Sequence, residues 1–425
     1  MLSQNKWVLL FLFLISTLLS GCEKTIKNIE RPEKIVSKRI VVYDQETYSE
    51  LADLWKTYYE EFPSEDAYAN WMYAARYAKW ENYESLLSDG LSKYPANPTL
   101  LYLSAINKKD LEENLESISM LEKAVRLDPT YLDPWFALVI DHMKNSDMEK
   151  SDVALRHLLE GGGISDVIMD YNYNVLSLLD KNAILITNGD NDTYPSWILT
   201  RILKYRPDVT IINRHLLNTE WYPKVIKMEG APNFLTEEKL SDLKNDISSQ
   251  IKKGKKTVPS TGPFSDTLLT YIIEKARTDN IPIYFAATLF SSDVVDRYKE
   301  GGKNLGLVTF VGKNSKPYSS QIKNVIDKWL VEFRTGGMNS WILKHSDKVL
   351  TGRWHIMNYA AALNNLMEPI NKFAPERRLE LFNWYQNNLL NMLELKYVDD
   401  YNQMWCDSKD IKEIYDWCKK ENYLE

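Results

Sequence analysis

The residue types best suited to binding chemistry are concentrated in residues 188–194, of sequence NGDNDTY. Two carboxylates there, Asp190 and Asp192, could hold a hard cation such as calcium or magnesium, or accept hydrogen bonds from sugar hydroxyls, with a nearby aromatic side chain stacking on the ring. The candidate ligand-binding residues are Asp190, Asn191, Asp192, Thr193, Asn213, Asn218 and Trp221. In the alternative, Asp190 and Asn191 only form a turn, and Asp192 or Thr193 caps the following helix.

Signatures of catalysis are absent from the rest of the sequence. The five histidines have no HExxH or HxH spacing, and no GxSxG, Walker or GxGxxG motif follows a predicted strand. The lysine-rich residues 252–256 are typical of a solvated helix end more than of an anion site. A formal charge of −7 and a pI near 5.5 oppose binding to nucleic acid. We therefore expect no catalytic residue and no cofactor, leave the metal undefined, and favour a protein that is not an enzyme.

Four short apolar runs alternate with helical patterns and predict the sheet that would carry the acidic loop. The runs are residues 183–187, 209–213, 281–287 and 306–311. Apolar strands that alternate with helices predict a parallel, Rossmann-like sheet covered by helices on both faces. Ligands of such sheets bind beyond the carboxyl ends of the strands. Residues 188–194 and 213–215, together with Thr288, are expected at that edge.

Several blocks within this α/β region carry a family resemblance. They are NGDNDTYP at 188–195, RPDV at 206–209, LLNTEWY at 216–222, IPIYFA at 281–286 and GL at 306–307. Over residues 182–312 the sequence resembles the soluble C-terminal part of a group of large Bacteroidota membrane proteins, which are glycosyltransferase-like and of largely unassigned function. Their transferase is assigned to a membrane-spanning part that has no counterpart in this sequence. The resemblance therefore implies an envelope location and a glycan or secretion context, not transferase activity.

Residues 45–162 contain a helical pattern that repeats along the chain. Phe-Pro at 62–63, Tyr-Pro at 94–95 and Asp-Pro at 128–129 are spaced by 32 and 34 residues and separate paired amphipathic helices. The segment 124–131, AVRLDPTY, resembles the junction between two tetratricopeptide repeats. This predicts a tetratricopeptide-like solenoid that binds other proteins in its concave groove, with an irregular helical bundle as the alternative. Three glycines at 161–163 end the segment.

The N-terminus predicts membrane attachment. Lys6 precedes an apolar run over residues 7–19, which is too short to span a bilayer, and Leu-Ser-Gly-Cys follows at 19–22. This resembles a bacterial lipoprotein signal that is cleaved before Cys22, with lipid added to that cysteine; an ordinary signal or an uncleaved anchor is the alternative. We expect a protein of the cell envelope, lipid-anchored to the outer membrane and facing the periplasm.

The C-terminal region, residues 319–425, has the apolar spacing of packed helices. Cys406 and Cys418 are twelve positions apart, and in an oxidising compartment such a pair is more often a disulfide than two free thiols. The predicted organisation is a signal peptide at 1–21, a tether at 22–44, helical repeats at 45–162, an α/β domain at 163–318 and C-terminal helices at 319–425.

Two functions remain open from the sequence. The first is a membrane-anchored envelope lipoprotein that acts as a protein-interaction scaffold. Its partners would be other envelope proteins, bound through the repeats, and the membrane, bound through the lipid on Cys22. In the second, the α/β domain binds or processes a small polar ligand such as a glycan at the 189–193 loop.

Overall fold

Helices form most of the protein in the computed structural model, which describes residues 29–107, 111–252, 263–313, 316–346, 348, 350–393 and 395–424. The predicted signal peptide and Cys22 lie outside the described residues. Within the described ranges, no helix is both long enough and apolar enough to cross a membrane.

The described chain divides into two compact units. The first contains residues 29–35 and 45–90, and the second contains residues 36–44 and the described residues from 91 onward. The division is discontinuous because residues 36–44, here called the strap, belong with later parts of the chain. The predicted domain boundaries at residues 162 and 318 stay predictions.

The first unit is built from three helices: α1 (Gln45–Glu61), α2 (Glu65–Ala78) and the larger part of α3 (Tyr83–Lys93). Ser64 caps α2 by accepting a hydrogen bond from the backbone N–H of Ala67. Trp55 is fully buried, and its Nε1 donates to the Glu33 carbonyl oxygen over 3.2 Å. A Cβ on Gly90 would lie 2.1 Å from the Tyr68 ring, so only glycine lets α3 approach α2 this closely.

The segment predicted as a tether is in contact with the fold over much of its described length. Besides the Glu33 contact, the backbone N–H of Ile35 donates to Asn70 over 3.1 Å, and Arg31 pairs with Asp66. In the second unit, Val41 forms an isolated antiparallel bridge with Leu350. Residues 31–44 are therefore part of the fold and not a free tether, because residues 31–35 find partners within the first unit and residues 36–44 within the second.

Four helices open the second unit beyond α3: α4 (Pro98–Ala105), α5 (Leu111–Leu127), α6 (Asp133–Lys144) and α7 (Met148–Glu160). They pack as the pairs α4 with α5 and α6 with α7, and α5 also contacts α6. Asn97 caps α4 and Asp147 caps α7 through their side-chain oxygens. The helix pairs lie where the repeat pattern predicts helices, while a continuous solenoid stays a prediction.

Five strands among the described residues form one mixed sheet of order β2-β1-β3-β5-β4. They are β1 (Ile184–Thr187), β2 (Thr210–Asn213), β3 (Ile283–Ala286), β4 (Lys303–Asn304) and β5 (Val308–Phe310). β1 is parallel to β2 and β3, whereas β5 is antiparallel to both β3 and β4. The prediction of an all-parallel sheet is therefore wrong for the fourth apolar run.

A hairpin explains the reversed strand. The chain returns from β3 through a helix to the two-residue strand β4, and a turn at Gly306, with φ of +81°, then reverses its direction. The Asn304 side chain accepts from the Gly306 N–H over 2.8 Å and closes the turn. β5 therefore pairs antiparallel between β3 and β4.

The remaining helices cover the sheet and extend to the C-terminus. Those up to the hairpin are α8 (Asp166–Ser177), α9 (Asp190–Trp197), α10 (Tyr222–Met228), α11 (Glu237–Lys252), α12 (Pro263–Thr278) and α13 (Asp293–Glu300). The later ones are α14 (Tyr318–Val331), α15 (Trp341–His345), α16 (Thr351–Phe373), α17 (Arg378–Asn388), α18 (Leu395–Cys406) and α19 (Lys412–Lys420). Asn174 of α8 donates to the Tyr359 hydroxyl of α16 over 2.7 Å, and a disulfide joins Cys406 of α18 to Cys418 of α19.

Candidate functional site

The acidic loop connects β1 to α9, and its backbone geometry is fixed by side chains. The Asp192 carboxylate accepts from the backbone N–H of Asn188 over 2.7 Å and of Gly189 over 2.8 Å, so it caps the helix start. α9 begins at Asp190, within the acidic loop itself.

Proline inside α9 is accommodated by a specific replacement bond. Pro195 has no N–H, which leaves the carbonyl oxygen of Asn191 without its intrahelical donor. The side-chain amide of Asn172 on α8 donates to that oxygen over 2.8 Å. A short π-helical turn follows at Ile198–Ile202. The loop is thus held on its neighbours, and Asn191 takes part through its backbone.

Asp192 also closes the gap between β1 and β3. Thr288, which follows β3, donates its hydroxyl to Asp192 Oδ2 over 2.6 Å, and the N–H of Phe290 donates to Asn188 Oδ1 over 3.2 Å. The chain leaves β1 toward β2 on one side and reaches β3 on the other, so this gap is where doubly wound sheets bind ligands. Here protein groups bridge it. Burial raises the pKa of Asp192, against the hydrogen bonds that favour its charged form.

Thr193 and Asn213 belong to the same buried cluster. The hydroxyls of Thr193 and Thr187 are 2.7 Å apart, and the side-chain amide of Asn213 donates to Thr193 Oγ1 over 2.8 Å. Asn213 Oδ1 accepts from the N–H of Leu216 over 3.0 Å, and the Asn213 N–H donates to the Tyr222 hydroxyl over 2.9 Å. These side chains join the ends of β1 and β2, and their polar groups form hydrogen bonds with each other and with neighbouring residues.

A fully buried arginine, Arg214, lies beside this cluster at the sheet edge where residues 213–215 were expected, but its burial and its partners were not expected. The Arg214 side chain is 0% exposed; it donates to Asp266 Oδ1 over 2.6 Å and to the carbonyl oxygen of Phe290 over 2.7 Å. A buried guanidinium needs such a partner because an unpaired charge is costly to desolvate. Its partner is 52 residues away, and no local motif indicates the pairing.

Asp190 has a different environment from Asp192. Its carboxylate is 56% exposed and pairs with Arg39 of the strap. The guanidinium of Arg39 lies 4.1 Å from the centre of the Phe136 ring and 5.8 Å from that of Tyr194. The two carboxylates therefore have different protein partners, and their joint binding of a ligand stays a prediction. Nowhere in the described ranges do three or more His, Cys, Asp or Glu side chains group as metal ligands.

The remaining candidates, Asn218 and Trp221, lie at a second location. Asn218 Oδ1 accepts from the N–H of Ser265 over 3.0 Å, and its amide donates to the carbonyl oxygen of His215 over 3.2 Å. Trp221 lines a groove of about 650 Å³ between α10 and α11, here called the Trp221 groove. Its other charged and apolar lining residues include Glu220, Lys224, Lys227, Met228, Glu237 and Lys244.

The RPDV block at residues 206–209 stabilises the end of α8. Arg206 donates to the carbonyl oxygens of Leu176 and Leu179, both over 2.8 Å, and to that of Asp180 over 2.7 Å, which satisfies the end of α8. Its side chain also bonds to Asp208, and this hydrogen bond lowers the pKa of Asp208 to about 2. This block therefore joins the end of α8 to the start of β2.

The α/β region matches the model of a known protein family. Residues 168–293 match TMEM260-associated domain 2, a family linked to the membrane protein TMEM260. The match covers less than half of the chain and includes β1, β2, β3 and the buried polar cluster at their ends. It overlaps the region of the resemblance described above; the Bacteroidota group itself stays a prediction. No curated protein matches the chain.

Proposed function

We propose that this protein is an envelope lipoprotein, held to the membrane by lipid on Cys22, that binds other envelope proteins through its repeat helices. The observation that carries this is the pairing of α4 with α5 and α6 with α7, helices that leave apolar side chains on their surface. Leu115 of α5 is 72% exposed and Val153 of α7 is 46% exposed. Helical repeats present such side chains to partner segments. A tetratricopeptide-like solenoid over residues 45–162 belongs to this proposal.

The sequence around Cys22 supports the location, which we propose to be the outer membrane with the protein facing the periplasm. The parallel strands β1, β2 and β3 are compatible with a Rossmann-like origin of the α/β region, and the resemblance adds a glycan or secretion context.

The anchor is tested by Cys22→Ser, which removes the thiol that would receive the lipid. We expect loss of labelling by a fatty-acid analogue and accumulation of a heavier, unprocessed precursor. Equal labelling of the wild type and the variant would refute the anchor.

The scaffold is tested on the helix surfaces rather than by deletion. Removing the repeats would break the hydrogen bond from the Tyr194 hydroxyl to the Phe136 carbonyl oxygen and the ion pair between Arg201 and Asp152. A deletion would therefore destabilise the whole second unit. Leu115→Glu and Val153→Glu keep these contacts. We expect each variant to fold with an unchanged melting temperature and to lose a crosslinked envelope partner that the wild type retains.

A matched control is Leu203→Glu, which places the same charge at a side chain that is 50% exposed outside the repeat helices. The control should keep the partner. If both repeat variants retain every partner of the wild type, or if the control loses the same partner, the repeats are not the binding surface.

A second proposal is that the α/β region binds a small polar ligand such as a glycan. The Trp221 groove favours it, because an indole face beside lysine and glutamate side chains can stack on a sugar ring and bond to its hydroxyls. Titration calorimetry with soluble oligosaccharides should show binding that Trp221→Ala weakens at least about tenfold. Asp190→Ala shows whether the acidic loop, rather than the groove, binds the oligosaccharide. Absence of binding, or binding that neither change affects, would rule the proposal out.

A further inference from the structure

An apolar surface is exposed where the strap meets the start of α15 and α16. Its members, here called the aromatic patch, are Ile40, Trp341, Ile342 and Trp354, with exposed fractions of 38%, 74%, 68% and 50%. Ile40 and Ile342 line one cavity of about 310 Å³, whose surface is mostly apolar. Exposed apolar side chains that occur together mark an interaction surface more often than single ones do.

The patch is presented by a fixed scaffold. Leu343, only 4% exposed, holds the short helix α15 against the fold, and Arg353 donates to the carbonyl oxygens of Leu343 over 3.0 Å and Ser346 over 2.9 Å. The Trp341 ring lies 4.5 Å from the His345 ring. Trp341 and Ile342 therefore face solvent on a short helix that Leu343 and Arg353 attach to the fold.

Positive charge accompanies the patch. Residues 341–353 contain three lysine or arginine residues and one aspartate, whereas the chain as a whole carries −7. Lys344 and His345 are exposed next to Trp341 and Ile342, and Lys38 is exposed in the strap. Asp166 is the acid among the residues that line the cavity. Tryptophan favours the headgroup level of a bilayer, and lysine and arginine favour anionic lipids.

The patch also lies within reach of the proposed lipid. Ile40 follows Cys22 by 18 residues, which would span at most roughly 65 Å if fully extended; residues 31–40 are docked on the fold, so the actual distance is shorter. The membrane that holds the lipid is therefore the nearest extended apolar phase for this surface.

We propose that the aromatic patch rests on that membrane, with Trp341 and Ile342 inserted among the headgroups of anionic phospholipids. This inference builds on the proposed lipid anchor. The lipid would hold the chain near the bilayer, and the patch would set which face of the second unit turns toward it.

The test places an environment-sensitive dye at Ile342→Cys in the full lipoprotein, reconstituted in vesicles of phosphatidylethanolamine and phosphatidylglycerol. Cys406 and Cys418 are joined and Cys22 would be lipidated, so the new thiol is the one that reacts. We expect a blue-shifted emission and quenching by lipids that carry bromine or a nitroxide near the headgroup. Trp341→Glu should weaken the quenching several-fold, and so should replacing the anionic lipid.

The control dye is at Leu203→Cys, a side chain that is 50% exposed away from the patch, and should show no shift. A water-like dye at position 342 in protein that sediments with the vesicles would overturn the proposal, and burial of the dye only after envelope proteins are added would assign the patch to a protein partner. Whether Cys22 carries lipid is measured separately, by counting free thiols and by sedimentation of the protein with the vesicles. Without a lipid on Cys22, quenching at high vesicle concentration would still support the patch, and its absence would refute it.

Discussion

At the strand ends, Asp192 is enclosed by hydrogen-bond donors while Asp190, two positions earlier, faces solvent. The Asp192 side chain accepts from two backbone N–H groups and from the Thr288 hydroxyl. The Asp190 side chain pairs with the guanidinium of Arg39. Removal of the two carboxylates should therefore have different effects on stability. Loss of the buried Asp192 carboxylate leaves its hydrogen-bond donors unsatisfied, because water cannot take its place.

Asp192→Ala should lower the free energy of unfolding by about 2–4 kcal/mol, because it leaves the donors of Asn188, Gly189 and Thr288 unsatisfied. Asp190→Ala should cost less, about 1 kcal/mol, because the Asp190 side chain is 56% exposed, although Arg39 is only 27% exposed. Urea denaturation of the two variants measures both values. Equal losses would show that the hydrogen bonds of Asp192 do not support the fold as described.

The candidate side chains were chosen by type, and type alone does not reveal their partners. Asp192 and Asn213 were predicted at the edge of the sheet, and they are found there. Arg214 was expected at this edge but without its partners, and Arg39 was not a candidate, since it pairs across 151 residues and no local pattern marks it. Contacts that depend on the packed fold cannot be read from spacing along the chain.

At the scale of elements, the apolar runs located four strands and gave the correct parallel direction for three of them. Residues 183–187, 209–213 and 281–287 contain β1, β2 and β3, as predicted. The run 306–311 contains β5, whose reversed direction depends on the short polar strand β4 and on the turn at Gly306. A two-residue strand has no periodicity, so the sequence could not indicate it.

The disulfide between α18 and α19 provides a prediction at this scale. The double change Cys406→Ser and Cys418→Ser should destabilise these helices by about 3 kcal/mol, because a short loop loses its covalent closure. Hydrogen exchange should accelerate in residues 395–420 and remain unchanged in the sheet. Reductant should reproduce the effect in the wild type and add nothing in the variant. If reductant leaves exchange in the wild type unchanged, the bond does not hold these helices.

At the scale of the molecule, helices from distant parts of the sequence share one core in the second unit. α8, which precedes the sheet, packs on α16 through Tyr171, Tyr359 and His355. His355 is 6% exposed, and burial lowers its pKa to about 4.

Because burial lowers the pKa of His355, we expect the folded protein to lose stability in acid. Since the unfolded chain takes up its proton near pH 6.5 and the folded chain only near pH 4, stability is full above pH 6.5 and falls as the pH decreases toward 4. The contribution reaches roughly 3 kcal/mol. His355→Gln should be less stable at neutral pH and should show a shallower dependence on pH across this window, measured by urea denaturation at each pH. An unchanged dependence would show that His355 does not titrate as described.

The strap has a consequence for the order in which the molecule assembles. Its contacts reach forward along the chain, from Ser37 to Asp133, from Arg39 to Asp190, and from Arg39 to Thr351, across 96, 151 and 312 residues. A chain is made from its N-terminus, and a contact forms only after both of its ends exist. Residues 36–44 therefore emerge before every other part of the second unit, yet they complete their docking only when residue 351 has followed.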